Sequence, residues 1–195
     1  MGIEQPSFNR DFLKESINYR FSFTEEAVRH LPEITQEDIE SGKECFALML
    51  GTWSGDQNDI SLNVSSVLRV PDDSRFYKET EGGVDDINYK AIRQLIEQFK
   101  QLGHIDKGLV LLGDVHTHPI TDEELEHLDG QQAAFSEGDQ ISAISHYLEG
   151  DLDSSSPYIF GVISDTLNRE QDDRSTYTFF RVAQDDEGNY KCIQI

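Results

Sequence analysis

The chain of 195 residues carries 38 acidic and 16 basic side chains, which gives a formal net charge of −22 at pH 7. This length fits one domain, with or without extensions, and a hydrophobic content of 36% with 11 phenylalanines is enough for a real core. A surface this acidic repels phosphate backbones, so a nucleic-acid substrate is not expected. The charge favours a basic partner or serves only solubility.

Cysteine usage and hydropathy indicate the compartment. Cys45 and Cys192 are the only cysteines; they are too few for a disulfide framework and suit a reducing setting. No apolar run approaches the length of a membrane span, about 20 residues, and no signal-like segment opens the sequence. We therefore expect a cytoplasmic protein without a membrane partner.

Short elements are predicted near the N-terminus. Residues 17–23 are compatible with a strand. Thr24 is a typical helix N-cap followed by acidic residues, and Pro32 ends that helix. A second short helix is predicted from Thr35 to Gly42, because both ends carry capping residues.

A hairpin is predicted next. Residues 44–50 are apolar on both faces, which is typical of a central strand covered on both sides. Residues 51–56 are predicted to form a turn, and residues 59–70 alternate like a half-buried strand. Glu44 opens the first strand, where a buried charge is costly unless something uses it. The alternative for Glu44 is an ordinary exposed glutamate.

The middle of the chain predicts a loop and a crossover helix. Residues 71–88 are polar and are interpreted as a surface loop. Apolar residues then recur at helical spacing, so a helix is predicted over residues 85–103. Because this helix lies between two predicted strands, we expect part of the sheet to be parallel.

A buried strand predicted at residues 108–116 leads into two histidines. Alternate side chains of a strand share a face, so His116 and His118 are expected to point the same way, just before Pro119 stops the ladder. Two imidazoles on a rigid element are half of a zinc site, and two solvent-exposed histidines are the alternative. Asp114 shares their face and is a candidate for orienting one imidazole.

The last part of the chain predicts one helix and three strands. Ser136 is a good N-cap for a helix whose apolar face holds Ile141, Ile144 and Leu148. The strands that follow are predicted at residues 158–163, 176–182 and 190–195.

Three motifs, taken together in chain order, resemble the JAMM/MPN (JAB-type) zinc metalloprotease family, in particular its bacterial members. The family pattern is a Glu opening a strand that ends in Leu-Gly, then His-x-His-Pro, then Ser-x-x-Asp. The matching residues in this sequence are Glu44, His116, His118, Ser136 and Asp139. As a set these motifs are fairly specific, whereas His-x-His-Pro alone would be weak.

The resemblance implies a fold as well as a site. The expected architecture is α/β: an MPN-type three-layer fold in which helices flank a mixed, twisted β-sheet, with the layering of cytidine deaminases. It implies a single such domain at residues 35–195, preceded by an N-terminal extension at residues 1–34.

The resemblance also implies a role for each matching residue. His116, His118 and Asp139 would hold Zn²⁺, with water at the open fourth position. Glu44 would act as general base and acid, and Ser136 would donate a hydrogen bond to the oxyanion. The implied reaction is hydrolysis of a peptide or isopeptide bond after the C-terminal tail of a ubiquitin-like or sulfur-carrier protein.

The spacing of the third ligand departs from the family pattern. Members usually place this Asp eleven positions after the second His, which here is Asp129, at the end of a short helix predicted from Thr121. Asp129 lacks a Ser three positions earlier. Asp139 keeps that Ser but needs an insertion of ten residues. We prefer Asp139, because a ligand in the first turn of a helix is rigidly held.

Two other functions stay open. One is a non-catalytic MPN-fold scaffold, although this sequence keeps all the residue types that the active family members use. The other is a different zinc-dependent amidohydrolase or a deaminase-like enzyme. The Pro-Cys-x-x-Cys zinc motif of cytidine deaminases is absent from the sequence.

Overall fold

The computed structural model shows an α/β chain, and its described residues are 13–56, 58–71, 73–80, 83–85, 87–119, 137–149, 156–164 and 176–195. The helix predicted from Thr121, together with Asp129 and Ser136, lies outside these residues. The described elements are β1 (Asn18–Phe23), α1 (Glu25–Arg29), α2 (Gln36–Ser41), β2 (Phe46–Gly55), β3 (Asp59–Arg69), β4 (Lys78–Thr80), β5 (Gly83–Asp85), α3 (Tyr89–Gln101), β6 (Val110–His118), α4 (Glu137–Glu149), β7 (Ile159–Ser164), β8 (Thr176–Gln184) and β9 (Tyr190–Gln194). None of the described helices is both long enough and apolar enough to cross a membrane.

The first two helices begin and end where their caps predict. The Thr24 hydroxyl accepts a hydrogen bond from the Ala27 amide at the start of α1. Thr35 opens α2 with a capping box, and Gly42 ends it at a φ of 65°, a left-handed conformation that glycine adopts without steric penalty. Both short helices predicted from the sequence are confirmed.

Seven strands form one mixed sheet in the order β1-β3-β2-β6-β7-β8-β9, and β4 and β5 form a separate hairpin. β1 runs parallel to β3 and β6 runs parallel to β7, whereas the other neighbours are antiparallel. The expected parallel component is therefore present. The two strands of the large sheet on either side of α3 in the sequence are β3 and β6. They are not paired with each other, because β2 lies between them.

The sheet curls so that β1 approaches β8. β1 and β8 are separated by four strands, yet the rings of Phe21 and Phe179 lie 4.5 Å apart between centroids. Arg181 in β8 donates three hydrogen bonds of 2.9 to 3.1 Å to backbone carbonyls within residues 14–17. Residues before β2 are thus tied into the sheet, while the boundary predicted at residue 34 stays a prediction.

A hydrophobic core lies on each face of the sheet, as the two-sided apolar pattern of β2 predicts. Ala47 and Met49 face the core that includes α1, and Phe46 and Leu48 face the core that includes α3 and α4. All four side chains are buried. The candidate site described below lies on the α3 and α4 side.

The turn predicted at residues 51–56 is wrong, because β2 continues to Gly55 and Trp53 is buried. The chain reverses only after Gly55, where the Asp56 amide donates to the Asp59 carbonyl. Gly51 serves close packing: a Cβ added there would lie 2.0 Å from the carbonyl oxygen of Asn63 in β3. The glycine marks a near approach of two backbones rather than a bend.

The predicted loop at residues 71–88 is also wrong in part. It contains β4 and β5, which pair as a small antiparallel hairpin, and Phe76 and Tyr77 are buried in the core. The following helix begins at Tyr89 rather than at residue 85, because the Asn88 side chain caps it by accepting from the Ala91 amide.

The helix predicted after Ser136 is present as α4, but its predicted apolar face is buried only in part. Ile141 and Leu148 are each 60% exposed, whereas Ala143 is buried and Ile144 packs against the core. α4 packs against β8 and β9. The apolar spacing locates the helix but only part of the face that it buries.

Candidate metal centre

β6 presents both histidines of the His-x-His-Pro motif on one face. The Nε2 atoms of His116 and His118 are 2.9 Å apart, and the ring centroids are 4.7 Å apart. The residue between them, Thr117, is fully buried and belongs to the opposite face of the strand. The strand alternation therefore produces the paired imidazoles that the sequence predicts.

The third candidate ligand comes from the first turn of α4. Asp139 places Oδ1 3.5 Å from the Nε2 of His116 and Oδ2 3.4 Å from the Nε2 of His118. A charge-assisted hydrogen bond between imidazole and carboxylate is shorter, at about 2.7–2.9 Å. The carboxylate therefore lies near both rings without forming a tight ion pair with either.

These distances fit a metal ion between the three groups. Tetrahedral zinc with bonds of about 2.0–2.1 Å spaces its ligand atoms by about 3.3 Å. The three separations that join His116, His118 and Asp139 are 2.9, 3.4 and 3.5 Å. Two imidazoles and one carboxylate are also a donor set that catalytic zinc uses.

Glu44, two residues before β2 begins, completes the cluster. Its Oε1 lies 3.7 Å from the Nε2 of His118, and its donor atom and those of both histidines all lie within 4.8 Å of one another. Glu44, His116 and His118 therefore form an alternative metal-binding group. Asp139 lies closer to both imidazoles, and we regard it as the better third ligand.

Strand register explains why Glu44 lies at this position. Phe46 of β2 pairs with His116 of β6. The Thr117 amide donates to the Cys45 carbonyl at 3.0 Å, and the Cys45 amide donates to the Thr117 hydroxyl at 2.7 Å. These bonds continue the pairing by one residue beyond the end of β2, so Glu44 lies across from His118.

Burial and neighbouring charges shift the two imidazoles in opposite directions. Burial lowers the pKa of His116, but the Asp139 carboxylate 3.5 Å away, together with other nearby carboxylates, outweighs burial and holds that pKa above its usual value. Burial and the nearby charge of His116 lower the pKa of His118 to about 4. His118 is therefore neutral at pH 7, which is the form of imidazole that a metal ion binds.

Behind the histidines lies a buried carboxylate that the sequence pointed to but did not explain. Asp114 is 2% exposed, and its Oδ2 accepts hydrogen bonds from Tyr158 at 2.7 Å and Tyr89 at 3.2 Å. Burial raises the pKa of Asp114 to about 6, against the effect of the two hydroxyls. Its hydrogen bonds come from the two tyrosines, and its negative charge also interacts with the His116 imidazole and raises the pKa of that ring.

Sequence reasoning missed both tyrosines. Tyr89 opens α3, and Tyr158 comes just before β7, so no local pattern joins them to Asp114. His146 of α4, a spare imidazole that the sequence predicts at the surface, is half-buried, and its ring packs edge-on against Tyr89 with 4.7 Å between centroids. A buried aspartate on a strand was the one available signal, because such a group requires polar partners.

Of the residues predicted for the site, the structure brings four together: Glu44, His116, His118 and Asp139. Ser136 and the alternative ligand Asp129 lie outside the described residues, so their roles stay predictions. No protein-family model matches the chain, and no curated protein matches it either. The fold and the site together define an α/β protein with a candidate metal centre between a strand and a helix.

Proposed function

We propose that this protein is a zinc-dependent hydrolase of the JAMM/MPN type. Its substrate would be a peptide or isopeptide bond that follows the C-terminal tail of a ubiquitin-like or sulfur-carrier protein. One observation carries the proposal: the three separated motifs meet, with all four described side chains within 3.7 Å of at least one site imidazole. An MPN-type layering of the mixed sheet is part of the same proposal.

Three residues of the chain would hold the metal. His116 and His118 offer imidazole nitrogens from a strand that is paired on both sides, and Asp139 offers a carboxylate from the first turn of α4. When bound, zinc would act as a Lewis acid and lower the pKa of water at its open position to about 7. The neutral state of His118 supports this ligand set.

Glu44 is the residue that we assign to proton transfer. It is 14% exposed and is held beside His118 by the backbone pairing of Cys45 with Thr117. From there its carboxylate accepts the proton of the attacking water and passes it to the leaving amine, which avoids expelling an amide anion. Glu44 lies beside the imidazoles but farther from His118 than Asp139 does, which supports a role as base rather than as ligand.

Ser136 is proposed to stabilise the oxyanion. The support is its spacing, three residues before Asp139 in the Ser-x-x-Asp motif, together with the helix that begins at Glu137. The resemblance to the family motif assigns this residue the role of hydrogen-bond donor to the oxyanion. Replacing one such donor typically lowers the rate by about 10²–10³-fold.

The experiment separates metal binding from catalysis. We expect about one zinc per purified chain, because tetrahedral sites with this donor set bind zinc. His116→Ala should lose the zinc, whereas Glu44→Gln should keep it and lose hydrolysis of ubiquitin-like proteins that carry a fluorogenic C-terminal amide. The matched control is His104→Ala, since His104 is exposed and lies outside the cluster.

Each contrary outcome excludes a different part of the proposal. Wild-type protein without zinc, even after incubation with the metal, would exclude the metal centre. Zinc retained in wild type without hydrolysis of any probe would favour the scaffold function. Full activity of Glu44→Gln would exclude Glu44 as the base.

A further inference from the structure

A buried cluster of three side chains links the candidate metal centre to the elements around it. Asp114 belongs to β6, Tyr89 opens α3, and Tyr158 lies just before β7. The two hydroxyls donate to the same carboxylate oxygen, Oδ2 of Asp114. We call these three residues the tyrosine–aspartate seat.

The composition of the seat requires an explanation. Placing a carboxylate in the core costs free energy, and hydrogen bonds recover only part of that cost. An apolar residue at position 114 would avoid the cost. The hydrogen bonds that Asp114 accepts come from two hydroxyls, and its charge interacts with the His116 imidazole without an ion pair between described side chains at hydrogen-bond distance. Stability alone therefore does not account for a carboxylate at this place.

α4 rests on the two tyrosines of the seat. The His146 ring packs edge-on against the Tyr89 ring at 4.7 Å. The hydroxyl of Tyr147 donates to the backbone carbonyl of Tyr158 at 3.4 Å. Both contacts come from the C-terminal half of α4, so the helix reaches the seat two turns after Asp139.

The apolar packing of α4 involves few side chains. Ala143 is buried and Ile144 and Tyr147 are partly buried against the core, while Ile141 and Leu148 are largely exposed. With this few apolar contacts, α4 also depends on its polar and aromatic contacts for its exact placement. Metal ligands tolerate displacements of only about 0.2 Å, so a small tilt of α4 would move Asp139 out of range.

We propose that the tyrosine–aspartate seat positions α4 and thereby holds Asp139 against the two histidines. Asp114, Tyr89 and Tyr158 are positioning residues, since none of them contacts the site where a substrate would react. This inference rests on the proposed metal centre, and it adds the contacts that hold its third ligand in place.

The test compares zinc affinity between full-length variants by competition with a chelator. Tyr158→Phe removes the 2.7 Å hydrogen bond and keeps the ring; we expect it to weaken zinc binding by about tenfold, as for other residues that support metal ligands. Tyr89→Phe removes the longer 3.2 Å bond and should have a smaller effect. Asp114→Asn keeps the shape of the side chain, and we expect it to weaken zinc binding as well.

A control and a spectrum exclude a merely structural effect. Ser156→Ala also removes a buried hydroxyl, which donates to the Leu111 carbonyl at 3.0 Å beside the same strands, and it should keep wild-type zinc affinity. With Co²⁺ in place of zinc, Tyr158→Phe should change the visible absorption of the bound metal, which reports ligand geometry. Ser156→Ala should keep the wild-type spectrum.

A double-mutant cycle shows whether the effect passes through Asp139. In an Asp139→Asn background the ligand oxygen is weaker, so the penalty of Tyr158→Phe should shrink from about tenfold to about twofold. An unchanged penalty in that background would overturn the proposal, because the seat would then act on the histidines directly. Wild-type zinc affinity in Tyr158→Phe and Asp114→Asn would overturn it as well. A wild type that binds no zinc would instead remove the proposed function, and this inference with it.

Discussion

The strand half and the helix half of the candidate site are held by different forces. β6 is hydrogen bonded on both sides, with His116 opposite Phe46 of β2 and Val162 of β7. α4 instead packs on β8 and β9, with Ala143 buried and Ile144 and Tyr147 partly buried against the core. Two of the proposed ligands are thus fixed by backbone pairing, whereas the third depends on side-chain contacts. Damage to each half should therefore have a different signature.

The largest expected effect comes from breaking the strand half. A Cβ added at Gly113 would lie 2.0 Å from the backbone carbonyl oxygen of Ile159 in β7. Because backbone atoms cannot move aside cheaply, Gly113→Ala should lower the free energy of unfolding by about 3 kcal/mol or more. Denaturant titration of the purified variant measures this change.

Gly108→Ala is the matched control for Gly113→Ala. Gly108 precedes the same strand, and a Cβ there would meet only a side-chain oxygen of Asp106 at 3.3 Å. We expect its unfolding free energy to stay within about 0.5 kcal/mol of wild type. Equal destabilisation by both variants would show that the pairing of β6 with β7 is not as tight as described.

Removing the helix-borne ligand should leave the fold intact and cost metal affinity. Asp139→Ala should weaken zinc binding by at least about 100-fold, more than the loss of a supporting residue. Asp129→Ala should leave zinc binding unchanged if Asp139 is the third ligand. Chelator competition measures both affinities, and thermal unfolding of the metal-free proteins checks the fold. If only Asp129→Ala loses zinc, the third ligand is Asp129 and not Asp139.

The strand half could be predicted from the sequence to a large extent. Alternation along a strand fixes which side chains share a face, so the pairing of His116 with His118 followed directly from two-residue spacing. The apolar run at residues 44–50 also predicted a central strand correctly. Its register against β6 could not be predicted, because a shift between Met49 and Leu50 changes the pairing. The family pattern, rather than periodicity, pointed to Glu44.

The helix half was predicted less well, for a physical reason. Apolar spacing locates a helix, but it cannot tell which face meets a surface that offers little room. Ala143 and Ile144 meet the core, whereas Ile141 is exposed. Similarly, Gly51 was interpreted as a turn residue, since local sequence cannot distinguish a bend from a close approach by a distant backbone such as that of Asn63.

The smallest expected effect concerns the link between β6, which carries the histidines, and the segment just before β2, which carries Glu44. The Thr117 hydroxyl accepts the Cys45 amide at 2.7 Å in a buried position, so Thr117→Val leaves that amide without its partner. We expect a loss of about 1–3 kcal/mol of stability. The hydrolysis rate should also fall, because Glu44 is then free to shift. Zinc should be retained, since the histidines stay in the β6 ladder.

Thr117→Ser distinguishes the hydroxyl from the methyl group of the same side chain. It keeps the hydrogen bond to Cys45 and removes only a methyl, so we expect the hydrolysis rate to return close to wild type. Zinc content and rate, measured on the same preparations, decide the matter. If Thr117→Val loses zinc along with activity, this bond also holds the histidines. The histidines would then not be fixed by the pairing of β6 alone, as the comparison above requires. A rate unchanged despite lower stability would mean that Glu44 is held by contacts other than the backbone of Cys45.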